Sequence, residues 1–272
     1  MRAFISVAIV LTAAVRVAGA QPVPGKNLTV DVRVTSATMR GDTTRIEYVL
    51  TNHAQSIERM FQFTVDAPSA AISIAQPQPD TAWITGKVSV GRPVARWAAI
   101  AEVMMPGETS PTLAFEAIGL SGLVSAWYRG YTPPSTPPPP TADTIADTLP
   151  PPPIVSVLDR SVNVVAVGID PHPAPTTNTG LLTRLDSLTV RTCTDLSWIS
   201  SGSVCTSLDE SLSETSTALG QSDGTAARAA LLDFLTLLES AHSPPTGPAT
   251  VGENAYWLLK TNATFLRDRI SP

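Results

Sequence analysis

The chain is poor in the residues that most catalytic centres and nucleic-acid surfaces require. Lysine occurs three times in 272 residues, at Lys26, Lys87 and Lys260, and the formal net charge is −5. Phosphate backbones are held by clustered basic side chains, so no nucleic-acid partner is expected on electrostatic grounds. Histidine is equally scarce. His53, His172 and His242 fall at an expected strand end, in a proline-rich connector and at a helix end, and none has the spacing of a metal site or catalytic triad. Only Cys193 and Cys205 represent cysteine, and no histidine stands near either, whereas a structural zinc takes about four ligands. No Gly-x-Gly-x-x-Gly, Walker, His-Glu-x-x-His or Ser-x-x-Lys sequence is present. No catalytic, cofactor-binding or metal-ligating residue is therefore expected. No run of 18 apolar residues occurs after the N-terminus, so no transmembrane span is expected either.

What is there begins with a leader. Met1-Arg2, the apolar stretch Ala3 to Val15 and the small triplet Ala18-Gly19-Ala20 before Gln21 have the pattern of a secretory signal peptide over residues 1–20. The apolar stretch, about 13 residues, falls short of the roughly 20 that span a bilayer, and no cysteine near the cleavage point offers a lipid anchor. Losing Arg2 and Arg16 with the leader leaves 16 basic and 23 acidic residues, a net of −7. The reading is a secreted, periplasmic or extracellular protein.

From Leu28 to Ile118 the apolar residues recur every second position. Leu28, Val30, Val32 and Val34 alternate with polar neighbours, as do Ile46, Tyr48 and Leu50, and Phe61, Phe63 and Val65. Arg40-Gly41-Asp42 suits a hairpin. Weaker runs follow at Ala70 to Ile74, Ile84 to Val90, Val94 to Val103, Leu113 to Ile118 and Leu123 to Tyr128. Short strands at this spacing predict two antiparallel sheets packed as an immunoglobulin-like sandwich over residues 21–170. Ten of the 22 residues from Thr132 to Pro153 are proline. That segment favours solvated polyproline II and reads either as an interdomain spacer or, preferably, as a long loop, because the strand-like Val162 to Ile169 returns after it. The connector then covers residues 171–178.

Residues 179–272 change period. Leu181, Leu182, Leu185 and Leu188 line one helical face, and Leu208, Leu212 and Leu219 a second. Ala227, Ala230, Leu231, Phe234, Leu235 and Leu238 form a third stripe, and Ala255, Leu258, Leu259, Asn262 and Leu266 a fourth. Ser207-Leu208-Asp209-Glu210 and Thr250-Val251-Gly252-Glu253 both read as capping boxes that open helices, and the third helix starts near Ser222-Asp223. A small four-helix bundle is the simplest way to bury all four stripes. Cys193 closes the first helical region and Cys205 precedes the second, so in an oxidising compartment the pair reads as a structural disulfide in preference to a reactive or metal-binding pair.

The succession Trp198-Ile199, Ser207 to Leu212, Ala226-Ala227, Leu231 to Leu238, then Glu253 to Lys260 and Asn262-Ala263 with Leu266 resembles the C-terminal helical module known as the FIMAH-type domain. The resemblance covers about the last third of the chain. It implies a bacterial, exported protein with an accessory helical terminus, and it assigns no catalytic residue. Ala241-His242-Ser243-Pro244-Pro245 replaces that family's basic, glycine-containing link, and the two cysteines lie outside its pattern. Trp83, Trp97, Phe115, Gly119 to Leu123 and Trp127 to Gly130 are similar to sandwich domains that precede such modules in secreted proteins.

Gly119-Leu120-Ser121-Gly122 lacks the Gly-x-Ser-x-Gly spacing of a nucleophile elbow. Asp209, Glu210 and Glu214 read as helix-start and solvated acids. Trp83, Trp97, Trp127, Tyr128 and Tyr131 are close enough in sequence to offer sugar-stacking rings, although core packing is the preferred reading because Trp97 alternates with Ala99 and Ala101. Of the adjacent pair Tyr256 and Trp257, one is expected outside the core. The expectation is a multidomain all-β plus all-α protein without enzymatic activity, binding or scaffolding an unknown protein or glycan at the cell surface, with no cofactor. The rival is an extracellular hydrolase or carbohydrate-active accessory protein whose carboxylates, such as Asp66, Asp80, Glu102 and Glu116, converge only in the fold; a third reading is a purely structural spacer.

Overall fold

The structure, a computed structural model, describes residues 27–68, 73–77, 83–88, 93–99, 103–131 and 161–272. The leader, the proline-rich segment 132–153, Asp80 and Glu102 lie outside these residues.

Among the described residues, period-two patterning is realised as nine strands in two antiparallel sheets. One has the order β1 (Val30–Arg40), β2 (Thr43–Asn52), β7 (Leu113–Ile118), β4 (Ser73–Ala75). The other runs β5 (Trp83–Val88), β6 (Val94–Ala99), β3 (Arg59–Asp66), β8 (Ser121–Tyr131), β9 (Val162–Ile169). β1 and β2 meet in a hairpin that pairs Arg40 with Thr43, and Gly41 takes a φ of 63° at the first loop position, where a side chain would be strained. β9 pairs antiparallel along β8 as the edge strand anticipated for it.

The alternation in β1 is broken once. A register shift between Val34 and Ser36 places Ala37 opposite Ile46 and Met39 opposite Thr44. This bulge re-phases the strand, so that Ala37, not Ser36, continues the buried face begun by Val30, Val32 and Val34. Inside the sandwich Tyr48, Phe63, Trp97 and Phe115 interlock, with centroid separations of 5.5 Å for Tyr48–Phe63, 6.2 Å for Tyr48–Phe115 and 5.8 Å for Phe63–Trp97. They come from β2, β3, β6 and β7, two strands of each sheet. Each ring contributes roughly 2 to 3 kcal/mol by burial alone. The Tyr48 hydroxyl donates to the carbonyl of Val167 at 2.7 Å, and its burial pushes the phenol well above its ordinary pKa.

Four helices follow: α1 (Asn178–Cys193), α2 (Gly202–Gly220), α3 (Gly224–His242) and α4 (Glu253–Arg269). The leucine stripes are buried as expected, with Leu219 and Leu235 half-covered. Asp223 caps α3 by accepting from the amide of Ala226 at 2.9 Å. Both anticipated capping boxes are corrected. Helix α2 starts a turn and a half earlier, under Ser201, so Ser207 lies within it and Cys205 sits in its first turn. Helix α4 opens at Gly252 with no side-chain cap. Thr250 turns instead toward the carbonyl of Ala241, and Glu253 accepts from the Trp257 indole at 3.2 Å.

The Cys193–Cys205 disulfide is formed, with a Cα separation of 6.1 Å. It closes the turn between α1 and α2, and that turn is in turn tied to the start of α4. Ile199 bridges Val251, Ser200 donates to the carbonyl of Thr250 at 2.8 Å, and the amide of Gly252 donates to Trp198 at 2.9 Å. No helix among the described residues is long and apolar enough to cross a membrane.

Candidate functional site

Helix α4 is buried on more than the face its leucine stripe predicts, because its other side lies on the sandwich. Its Asn254 amide brackets the edge of β1: Oδ1 accepts from the amide of Val34 at 2.7 Å while Nδ2 donates to the carbonyl of Val32 at 2.9 Å. Two turns on, Thr261 donates to the carbonyl of Ala37 at 3.2 Å. Asn262, only 4% exposed, reaches across to the other sheet and donates to the carbonyl and hydroxyl oxygens of Ser121 at 3.0 and 2.9 Å. A buried amide is costly unless bonded, and here the cost is offset at both of its polar atoms.

Arg184 of α1 completes this junction. Its guanidinium donates to Asp170 at the end of β9, to the carbonyl of Ser121 at 2.9 Å and to Asn262 Oδ1 at 3.3 Å. The close approach requires a glycine beneath it, since a Cβ on Gly122 would lie 2.9 Å from Arg184 Nη2. Burial opposes ionisation of Asp170, but the His172 amide and the Arg184 guanidinium outweigh it and hold the carboxyl below its ordinary value. The connector 171–178 is thus anchored at its start by Asp170. At its end Thr177 caps α1, and Thr176 accepts from Arg269 at 3.1 Å.

Between the β1–β2 hairpin and α4 runs an open groove of two lobes. The first, about 580 Å³, is lined by Ala37, Met39, Trp257, Thr261 and Phe265 with Arg269. The second, about 590 Å³, continues past Met39 and Phe265 to Ile118, Leu120 and the Pro171–Thr176 segment. Cations cover its rings: Lys260 Nζ stands 5.4 Å from the Trp257 centroid and Arg269 Cζ 5.5 Å from Phe265. Beyond Trp257, Tyr256 is stacked on His242 at 4.0 Å and hydrogen-bonded to Glu239 and Lys260. The Tyr256 hydroxyl is the main cause that lowers the Glu239 carboxyl. Burial works against the Lys260 charge, yet Tyr256 and Glu239 offset it and raise its pKa. Of the adjacent pair, Tyr256 is inside and Trp257 is the half-exposed member.

Among the described residues, the hydrolase carboxylates and the histidines singled out in the sequence lie apart from one another. Asp66 ends β3 in one sheet, whereas Glu116 lies on β7 in the other and pairs with Arg45 at 2.9 Å. His53 follows β2, His172 is exposed in the connector, and His242 ends α3. Ser121 is wholly buried and bonded to Asn262. Trp83, Trp97, Trp127 and Tyr128 are all at most 5% exposed, which is the preferred core-packing reading and leaves no open face for stacking on sugars. Among the described residues no three His, Cys, Asp or Glu side chains gather closely enough to hold a metal ion. Sequence reasoning missed the junction. Its one visible signal was Asn262, a polar residue in an apolar stripe.

No protein-family model matches the sequence, and no curated protein matches it. The likeness of the helical region to the FIMAH-type module therefore stands on its residues alone. Among the solved structures similar to part of the chain are the following two. One is an uncharacterised protein from Nocardia farcinica described as having an immunoglobulin-like fold, 14% identical, with a TM-score of 0.29, covering 40% of this chain and 88% of that one. The other is a cohesin module from a Clostridium perfringens family 33 glycoside hydrolase, 9% identical, with a TM-score of 0.26, covering 37% of this chain and 78% of that one.

Proposed function

We propose that the chain is an exported, non-catalytic binding or scaffolding protein of a bacterial envelope, and that the groove between the β1–β2 hairpin and α4 is its recognition surface. The observation that carries this reading is the groove itself. It is open, apolar at its base, fringed by Lys260, Asp268 and Arg269, and walled by two elements joined by hydrogen bonds from Asn254 and Thr261. A half-exposed tryptophan and phenylalanine beside cations are the side chains that dominate recognition surfaces. The leader and the Cys193–Cys205 disulfide support export, because such bridges persist in oxidising compartments. The helical layer serves as the accessory unit that the FIMAH-type resemblance implies, presenting Trp257 and Phe265 against the hairpin.

Proximity labelling in the native host tests the proposal with the full chain and a Phe265→Ala variant. The wild type is expected to mark a reproducible set of surface proteins or glycans that the variant loses. Identical labelling by both would remove the groove from consideration, and turnover abolished by changing one polar side chain would overturn the non-catalytic reading.

A further inference from the structure

Whatever occupies the groove, the edge that α4 covers has a property of its own. Edge strands present backbone groups that recruit other strands unless they are covered. Outward groups of β1 are met by side chains at four residues: Tyr128 reaches the backbone of Val30, Asn254 the carbonyl of Val32 and the amide of Val34, and Thr261 the carbonyl of Ala37. All but the first come from α4, which at Asn254 supplies one acceptor and one donor in the places where a neighbouring strand's peptide would stand.

The strand beneath is suited to a copy of itself. Antiparallel pairing about a two-fold axis through Val32 would set Asp31 opposite Arg33 of the second copy, Arg33 opposite Asp31, and Val30 opposite Val34. Asp31 and Arg33 are exposed on the outer face, while the three valines are buried on the inner one. The amide of Val34 and the carbonyl of Val32 point away from β2, so in this register the valines form the hydrogen-bonded pairs. The charged residues then form the closer, non-bonded pairs, where opposite charges favour the ladder. The bulge after Val34 ends the matched segment. We propose that α4 acts as a strand mimic that keeps β1 from pairing with a second copy of this chain, and that its release joins two four-stranded sheets into one of eight strands.

The test is made on the full chain carrying Asn254→Ala with Thr261→Val, which removes the three α4 contacts and leaves the helix's apolar face intact. Sedimentation should find the wild type monomeric and the variant dimeric, with association tighter by about tenfold or more. Adding Arg33→Asp should abolish the dimer by opposing like charges, and combining it with Asp31→Arg should restore it. A folded variant that stays monomeric, a dimer indifferent to these charges, or a wild type that already dimerises through them would each overturn the proposal. If the double variant unfolds, Asn254→Ala alone is followed by hydrogen exchange at the Val34 amide. Protection that rises with protein concentration supports the mimic, and protection independent of concentration refutes it.

Discussion

The sandwich and the helical layer are held together by different means. The sandwich has an aromatic interior whose four central rings come two from each sheet, so that interior is complete only when both sheets are packed. The helical layer is built of leucine and alanine between sequential helices, and it adds a covalent staple, a bridge between two loops, and a surface borrowed from β1. A helical unit of this size gains from crosslinks and from neighbours, because small domains bury a smaller share of their surface. Stability is therefore global in the first region and local in the second.

The most severe way to break that contrast is Trp97→Ala. The ring is fully buried among Tyr48, Phe63 and Phe115, and its loss should cost about 4 kcal/mol, a large part of a domain's stability. Because α4 rests on β1, helix and sheet signals should melt together in denaturant; helices that outlast the sandwich would contradict this. Reduction of the disulfide, or Cys193→Ser with Cys205→Ser, should cost about 3 kcal/mol in the helical layer alone. Helical circular dichroism should then fall before tryptophan fluorescence, which reports mainly on the sandwich; coincident transitions would show that the staple is no local device. The mildest probe is pH. The Asp170 carboxyl lies below its ordinary 3.8 in the folded chain, so its contribution is complete above that value and is lost as pH falls below it through the lowered one. The melting temperature should drop over that acid range, and Asp170→Asn should flatten the slope; an unchanged slope would remove Asp170 from the junction's energetics.

Much of the architecture was legible. Val30, Val32 and Val34 announced β1, Ile46, Tyr48 and Leu50 announced β2, and the late leucine spacing announced the helices, because periodicity directly reflects which face is buried. The disulfide was legible for the same local reason, as two cysteines flanking one turn. Helix starts were less so. Ser201 and Ser207 are both chemically able to cap α2, and the staple and the Ile199–Val251 bridge favour the earlier one. At α4 the capping partners Thr250 and Glu253 found tertiary partners instead. The candidate groove was illegible, since it forms only where α4 meets a hairpin more than 200 residues earlier, and no local pattern pairs Asn254 with Val34. The bulge after Val34 was hidden too, because Ser36 and Thr38 differ little from other polar strand positions.

Asn254 lies 220 residues after the strand amide it satisfies. At ribosomal speeds of about 5 to 20 residues per second, the first strand waits roughly 10 to 45 seconds before its cover is even synthesised. Every truncated or stalled product of this chain that ends before α4 leaves β1 bare, and it is these incomplete molecules, more than the finished one, that need a chaperone's attention.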